Sequence, residues 1–305
     1  MPTPLRNPSP AEPTWLPPAS WAHLATSGTD AFLAAHAPDL RIERWGDALR
    51  VLSPTPPTEP LLHSLFHPPT LPLWVPARII FQNELTKTAT FLLGSSFTGE
   101  AHELGLTYNI DLTSGISPGL FPDQRENRAH LRTLRPAKLL NLFAHTCAFG
   151  LIAASVGAET LNIDASPRSL IRGKENYLLN HLRGPKHRFW AEDVRRVLPR
   201  LLRRQEKFDA IILDPPTFAH GDRGRAFRID RELEPLLLSC QQLLAPQGSL
   251  LLSINHAHTT PLSLASQVRH LFAEQNIPLQ IHPGLQPSDT PADRMPASLW
   301  LTTED

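Results

Sequence analysis

The sequence predicts a doubly wound parallel α/β sheet, preceded by a smaller α+β region. Three observations point there. Beyond Arg135, apolar runs of strand length alternate strictly with stretches of helix length, the rhythm of repeated β-α units. Some of those runs, such as Ile211–Leu213, are continuous rather than alternating, as strands covered on both faces require. Before about residue 115, short strands instead follow one another around tight turns.

In chain order, residues 1–20 carry many prolines without an apolar period and read as an irregular leader. A short helix is expected from Trp21 to about Pro38. "RIERWGDALRVLS" reads as two strands around a Gly46-Asp47 turn, "TEPLLHSLFH" as a helix capped near Thr58, and "PARIIFQN" as a strand. "HELGLTYNIDLTSG" is further strand material, which sets a small α+β domain at 21–115 and a second domain at 116–305. In the second domain, "KLLNLFA", "ETLNIDA", "HRFWAED", "FDAIILD" and "GSLLLSIN" are expected strands. "FGLIAASVGA", "PRSLIRGKENYLLNHL", "VRRVLPRLLRRQE", "IDRELEPLLLSCQQLLA" and "PLSLASQVRHLFAEQN" are expected helices. Ser166 is the N-cap of one of them, with Pro167 in its first turn, and Pro199 is expected to interrupt another. "IPLQIHPG" and "ASLWLTTE" have no helix between them and suggest an antiparallel hairpin at the sheet edge.

Composition narrows the function classes. No apolar run is long enough for a membrane span, and no basic-then-apolar signal opens the 305 residues. The two cysteines, Cys147 and Cys240, make neither a disulfide framework nor a metal spacing, so a reducing cytoplasm is expected. His256 and His258 have no third ligand at fitting spacing, and no metal is expected. Formal charge is zero, but the cations cluster. Arg125, Arg128, Arg132, Arg135 and Lys138 form one group. Arg195, Arg196, Arg200, Arg203 and Arg204 form another, with Arg223, Arg225 and Arg228 beyond. They read as a phosphate-binding face or as solvated helix faces, the second being favoured for 195–204.

The chemistry concentrates at strand ends. "IILDPPTFAHG" stops a buried strand on an acid and then fixes the backbone twice, so Asp214, Pro215 and Pro216 form a stiff ledge with Phe218 beyond it. In open α/β sheets ligands bind at that edge. The turn after the first strand of the second domain, "NLFAHTCAFG", lacks GxGxxG, which weighs against a pyrophosphate and for a smaller adenosine ligand. Asp164 lies about 20 residues on, where an acid meets ribose hydroxyls. Asp193, at the end of the third strand, is placed to meet an adenine amino group.

On these residues the chain resembles the class I S-adenosylmethionine (SAM)-dependent methyltransferases, specifically the bacterial 23S rRNA enzymes of the large subunit. "GISPGLFPDQRENRAHL" matches that family's G-x-F-x-D-x-R-x-x-R segment. "NLFAHTCAFGLIAASVGAETLNIDASPRSL" matches its first two SAM motifs, and "LDPPTF" its fourth. "GTDAFLAAHAPDLRIERWGDALRV" looks like a shortened pre-catalytic, substrate-recognising domain. The resemblance implies a Rossmann-like, seven-stranded sheet, SAM as cofactor, and RNA (23S rRNA or a large-subunit precursor) as partner. It also implies that Phe121, Asp123, Arg125 and Arg128 border the methionine end of SAM or the RNA. Asn141 to Cys147, including Phe143, His145 and Thr146, would wrap the methionine, Asp164 with Ala165 the ribose, and Asp193 the adenine. Asp214, Pro215, Pro216 and Phe218 would frame the target base. Asn141 stands where the family commonly has an acid, and Cys147 where it commonly has glycine.

Methylation at C5 of cytosine needs a thiolate to activate the ring. "SINHAH" offers no cysteine, Cys147 belongs to the cofactor turn, and Cys240 sits mid-helix among leucines. A nitrogen with its own lone pair needs mainly positioning, so a base nitrogen is expected, with guanine N7 favoured. Two alternatives fit the same residues. One is a SAM methyltransferase acting on protein or a small molecule, and the other is a catalytically silent RNA-binding protein of the same fold.

Overall fold

The computed structural model describes residues 12–68, 74–113, 117–216, 218–219, 227–256, 259–292 and 295–303, with the backbone alone at 218, 219, 227, 228, 230 and 303. The chain divides into two compact units, Met1–Pro122 and Asp123–Asp305.

The first unit runs β1 (Thr14–Trp15), α1 (Pro18–Thr26), β2 (Ala31–Ala37), β3 (Leu40–Trp45), β4 (Ala48–Ser53), α2 (Glu59–Phe66), β5 (Arg78–Asn83), β6 (Ala89–Leu93), β7 (Thr98–Glu103) and β8 (Leu106–Asp111). β1 to β6 form one sheet in sequence order, antiparallel except for the β4–β5 pair that α2 bridges. β7 and β8 form a separate hairpin. The expected turn at Gly46-Asp47 closes β3 onto β4, pairing Trp45 with Ala48. The expected helix from Trp21 to Pro38 is corrected: it spans Pro18–Thr26, and Ala31–Ala37 is a strand. Gly28, at φ +68°, breaks the helix. The alanine-rich stretch after it is buried on both faces and pairs with β3, so strand pairing and burial override its helical propensity. Trp21, Phe32, Ile42, Leu49, Val51, Leu65 and Ile79 lie at the centre of this unit's core.

The second unit continues with α3 (Arg125–Leu134), β9 (Lys138–Leu142), α4 (Ala148–Ser155), β10 (Glu159–Asp164), α5 (Pro167–Leu179), β11 (His187–Ala191), α6 (Val194–Arg203), β12 (Phe208–Leu213), β13 (Phe218–Ala219), β14 (Phe227–Arg228), α7 (Ile229–Leu243), β15 (Leu244–Ile254), α8 (Pro261–Glu274), β16 (Leu279–Pro283) and β17 (Ala297–Thr303). Its sheet has seven strands in the order β11–β10–β9–β12–β15–β17–β16. The first five are parallel, and β17 is antiparallel to both neighbours. This is the doubly wound α/β sheet expected from the sequence. The final hairpin lies at the edge as expected, with β16 outermost and β17 inserted against β15. Pro199 does not interrupt α6, which runs through it. Proline gives up one hydrogen bond there, and Val197, Leu198 and Leu201 hold the helix by burial. Because β9 connects to β10 on one side and pairs with β12 on the other, the strand order reverses between β9 and β12.

Candidate active site

The carboxyl ends of β9 and β12 are neighbours, Leu142 pairing with Leu213, so the turn after one and the ledge after the other leave the sheet side by side. The turn after β9 is tightly bent. Phe143, His145 and Cys147 all have left-handed backbones, at φ 56°, 47° and 63°. Three such non-glycine residues in five are costly, and packing must hold them. Asp164, closing β10, does part of this: one carboxylate oxygen accepts from His145 N and the other from Ser166 N, both at 2.8 Å. Ala144 N donates to Ile163 O at 2.9 Å, and Asn176 Nδ2 donates to the Thr146 carbonyl at 3.1 Å. The Cys147 thiol is sealed inside against Gly173, and burial pushes its pKa far up. Burial also lowers the pKa of His145, with Asp164 acting against that and Arg172 with it, which favours a neutral imidazole. Ala165 is exposed beside Asp164.

Asn141 lies in the sheet interior, 2% exposed, where its Nδ2 donates to Asn162 Oδ1 at 2.9 Å. Asn162 in turn donates to the Tyr177 hydroxyl at 3.2 Å. Asp193 caps α6, accepting from Arg195 N at 2.9 Å, and its carboxylate also takes Arg195 Nε at 3.0 and 3.1 Å. That hydrogen bonding to Arg195 holds the Asp193 carboxyl below the usual range.

Asp214 follows β12 and is half-buried, with Pro215 buried and Pro216 exposed beyond it. Desolvation raises its carboxyl to about 6, against a hydrogen bond from Ser253 and the charge of Arg128, which both lower it. Behind Ser253 runs a buried chain of amides that the sequence does not announce. Gln124 Nε2 donates to Ser253 Oγ at 2.7 Å, and Asn127 Nδ2 donates to Gln124 Oε1 at 2.8 Å. Asn127 Oδ1 accepts from Leu285 N at 2.8 Å and Trp300 Nε1 at 3.0 Å. One signal was available: Ser253 is a polar residue inside the apolar run of β15.

The 125–138 cluster, read from sequence as a phosphate-binding face or a solvated helix face, is neither at Arg125 and Arg128, whereas Arg132 is half-buried and Arg135 exposed. Arg125 and Arg128 are 3% and 1% exposed. Arg125 is paired with buried Asp289, Arg128 lies 5.4 Å over the Phe149 ring, and Lys138 pairs with Glu206. In the 195–204 cluster, Arg195 and Arg200 pair with acids while Arg196, Arg203 and Arg204 face solvent. Asp123 is half-buried at the start of the second unit, and Phe121 is 36% exposed in the first. The Phe218 backbone pairs with Arg228 across β13 and β14. The Phe218 side chain, Thr217, Arg223, Arg225, the Arg228 side chain and His258 lie outside the described residues.

Carboxylates at the ends of β10, β11 and β12, on either side of a turn after β9 that is free of basic side chains other than His145, suit a cationic ligand bearing hydroxyls rather than a pyrophosphate. Each Asp164 oxygen keeps a second lone pair that can accept from a ligand hydroxyl. Among the described residues no cluster of histidine, cysteine and acid side chains could hold a metal ion.

A family model described as S-adenosylmethionine-dependent methyltransferase matches residues 84–276. Ribosomal RNA large subunit methyltransferase I of Tolumonas auensis is 38% identical over 149 residues, 48% of this chain and 37% of that protein. Ribosomal RNA large subunit methyltransferase K/L of Alteromonas mediterranea is 28% identical over 276 residues, 83% of this chain and 39% of that protein. The match therefore spans well under half the length of either relative. The structure of SMU.776, solved in complex with SAH, shares the fold at TM-score 0.76 and 22% identity, covering 94% of this chain and 79% of that one.

Proposed function

Because this chain belongs to the S-adenosylmethionine-dependent methyltransferase family, we propose that it methylates a base nitrogen of 23S rRNA or a large-subunit precursor in the cytoplasm, with guanine N7 as the acceptor. SAM, when bound, supplies an electrophilic methyl group on a sulfonium. The support for rRNA is the likeness to two relatives named as large-subunit methyltransferases. The observation that carries the choice of nitrogen is the burial of both cysteines. Cys147 and Cys240 are each 0% exposed, and burial pushes both thiols up. Neither supplies the thiolate that a pyrimidine carbon would need.

Guanine N7 asks less of the protein. Its lone pair bonds to the methyl carbon, the carbon–sulfur bond breaks with its electrons left on sulfur, and the purine leaves with one positive charge. No proton has to be removed. We assign the turn Phe143–Cys147, with Asp123, to the methionine end of the cofactor, Asp164 to the ribose and Asp193 to the adenine. Phe121 and Phe218 are assigned on sequence grounds, Phe218 as the wall on which the base stacks. Asp214 and the Pro215–Pro216 ledge hold the base, and a desolvated carboxylate there stabilises the cation as it develops. Asn141, Arg125 and Arg128 act by fixing the frame around these groups.

The test is transfer of isotopically labelled methyl from SAM to rRNA from a strain lacking this protein, followed by nucleoside mass spectrometry. Labelled 7-methylguanosine is expected. A different labelled nucleoside would reject the acceptor atom, and unlabelled RNA would reject the substrate.

A further inference from the structure

The first unit contains a groove of about 730 Å³ walled by Arg44, Trp74, Glu100 and the Asp47–Arg78 pair. Its charges are largely spoken for. Arg78 Nε donates to Asp47 Oδ1 at 3.0 Å, its Nη1 to the Thr98 carbonyl at 2.7 Å. Asp30 accepts from His102 Nδ1 at 2.9 Å when that ring is protonated there. Two groups remain. The Arg44 guanidinium lies 4.4 Å over the Trp74 ring and within 5.7 Å of Trp21 and Phe32. Its Nε donates to the Gly46 carbonyl at 3.1 Å, and its terminal nitrogens meet no acceptor among the described residues. Aromatic rings on that side cannot supply one, and burial there lowers the pKa of Arg44, against the attraction of Asp30. The Glu100 side chain is exposed, with no donor among the described residues.

With Asp30, Asp47 and Glu100 against Arg44 and Arg78, the groove is not a phosphate site. A neutral planar ligand with acceptors on one edge and donors on another fits it. Guanine has that pattern, offering O6 and N7 to an arginine fork and N1–H and N2–H to a carboxylate. We propose that this groove binds one unpaired guanine of the RNA substrate, distinct from the base that is methylated, with Arg44 reading O6 and N7 and Glu100 reading the N1/N2 edge. The inference rests on RNA being the substrate.

The experiment measures binding of the full chain to a short unstructured oligoribonucleotide with one guanosine in a uridine background, against the same oligonucleotide with adenosine or inosine. Guanosine is expected to bind about tenfold more tightly than adenosine, whose N6 amino group faces the arginine donors. R44Q is expected to abolish that preference. E100Q is expected to abolish the smaller preference over inosine, which lacks the N2 amino group. Glu100 is at the surface, so E100Q stays informative if R44Q fails to fold. No guanosine preference in the native chain, or the native preference in both variants, overturns the proposal. Methyl transfer to rRNA, followed in parallel, separates the two readings. Transfer without guanosine preference removes the groove alone, and guanosine preference without transfer removes the enzymatic reading alone.

Discussion

Asp214 is the residue on which the proposed chemistry turns, and its acidity is the most direct handle on it. Burial raises its carboxyl to about 6 while the Ser253 hydrogen bond pulls the other way. If the ionised form holds the base, kcat/KM should rise with pH through about 6 and then level off. Ser253→Ala removes a bond that favours the charged form, so the rise should move to higher pH. An unmoved profile would take Ser253 out of the site. Asp214→Asn should lower kcat about 100-fold with SAM affinity nearly unchanged. A raised pKa also means that the folded state holds this proton more tightly than the unfolded chain. Asp214 therefore costs progressively more stability as pH climbs from about 4 to 6, and Asp214→Asn should flatten that part of the stability curve. Cys240→Ala should keep methyl transfer within about threefold and yield no covalent RNA adduct, because the thiol only packs. A trapped adduct lost in that variant would restore pyrimidine-carbon chemistry.

At the scale of elements, α4 rests on β10 through Gly150. A methyl group there would fall inside contact distance of Asn162 Oδ1 and 2.7 Å from the Tyr177 hydroxyl. Gly150→Ala should cost about 1–3 kcal/mol in urea unfolding, since it displaces the amide that anchors Asn141. An unshifted midpoint would mean that the two layers adjust freely. The strands and helices around this contact were readable in the sequence because each is set by local signals. β12 closes on the apolar run Ala210–Leu213, stopped by Asp214 and Pro215, and α5 begins on a Ser166-Pro167 cap whose hydroxyl accepts from Ser169 N at 3.2 Å. Strand β2 was not readable. An alanine-rich segment carries helical propensity, and only its partner β3 makes it a strand. Helix α3 also escaped: arginines that look like a solvent face are buried there on partners distant in sequence. The site divides in the same way. Asp164 and Asp214 announce themselves by ending strands, whereas Gln124 reaches Ser253 across 129 positions and leaves no local trace.

For the whole molecule, a formal charge of zero and a pI near 7.3 put minimum solubility close to neutral pH. With Arg125, Arg128 and Lys138 committed to internal partners, the 125–138 cluster offers few cations to phosphates. The logarithm of rRNA affinity should fall with that of salt at a slope shallower than about −4. A much steeper slope would locate a basic face elsewhere, with Arg196, Arg203 and Arg204 the first candidates. No described helix is long and apolar enough to cross a membrane. The seven-stranded sheet also carries an instruction about time. β16 precedes β17 in the chain but touches the sheet only through it, since β17 takes the place beside β15. During synthesis β16 emerges with no strand to join, and β15 keeps an open edge until Ala297–Thr303 arrives. Whenever Ala297–Thr303 is undocked, β15 and β16 therefore both present unpaired edges, the state in which this chain is most open to pairing with a stranger.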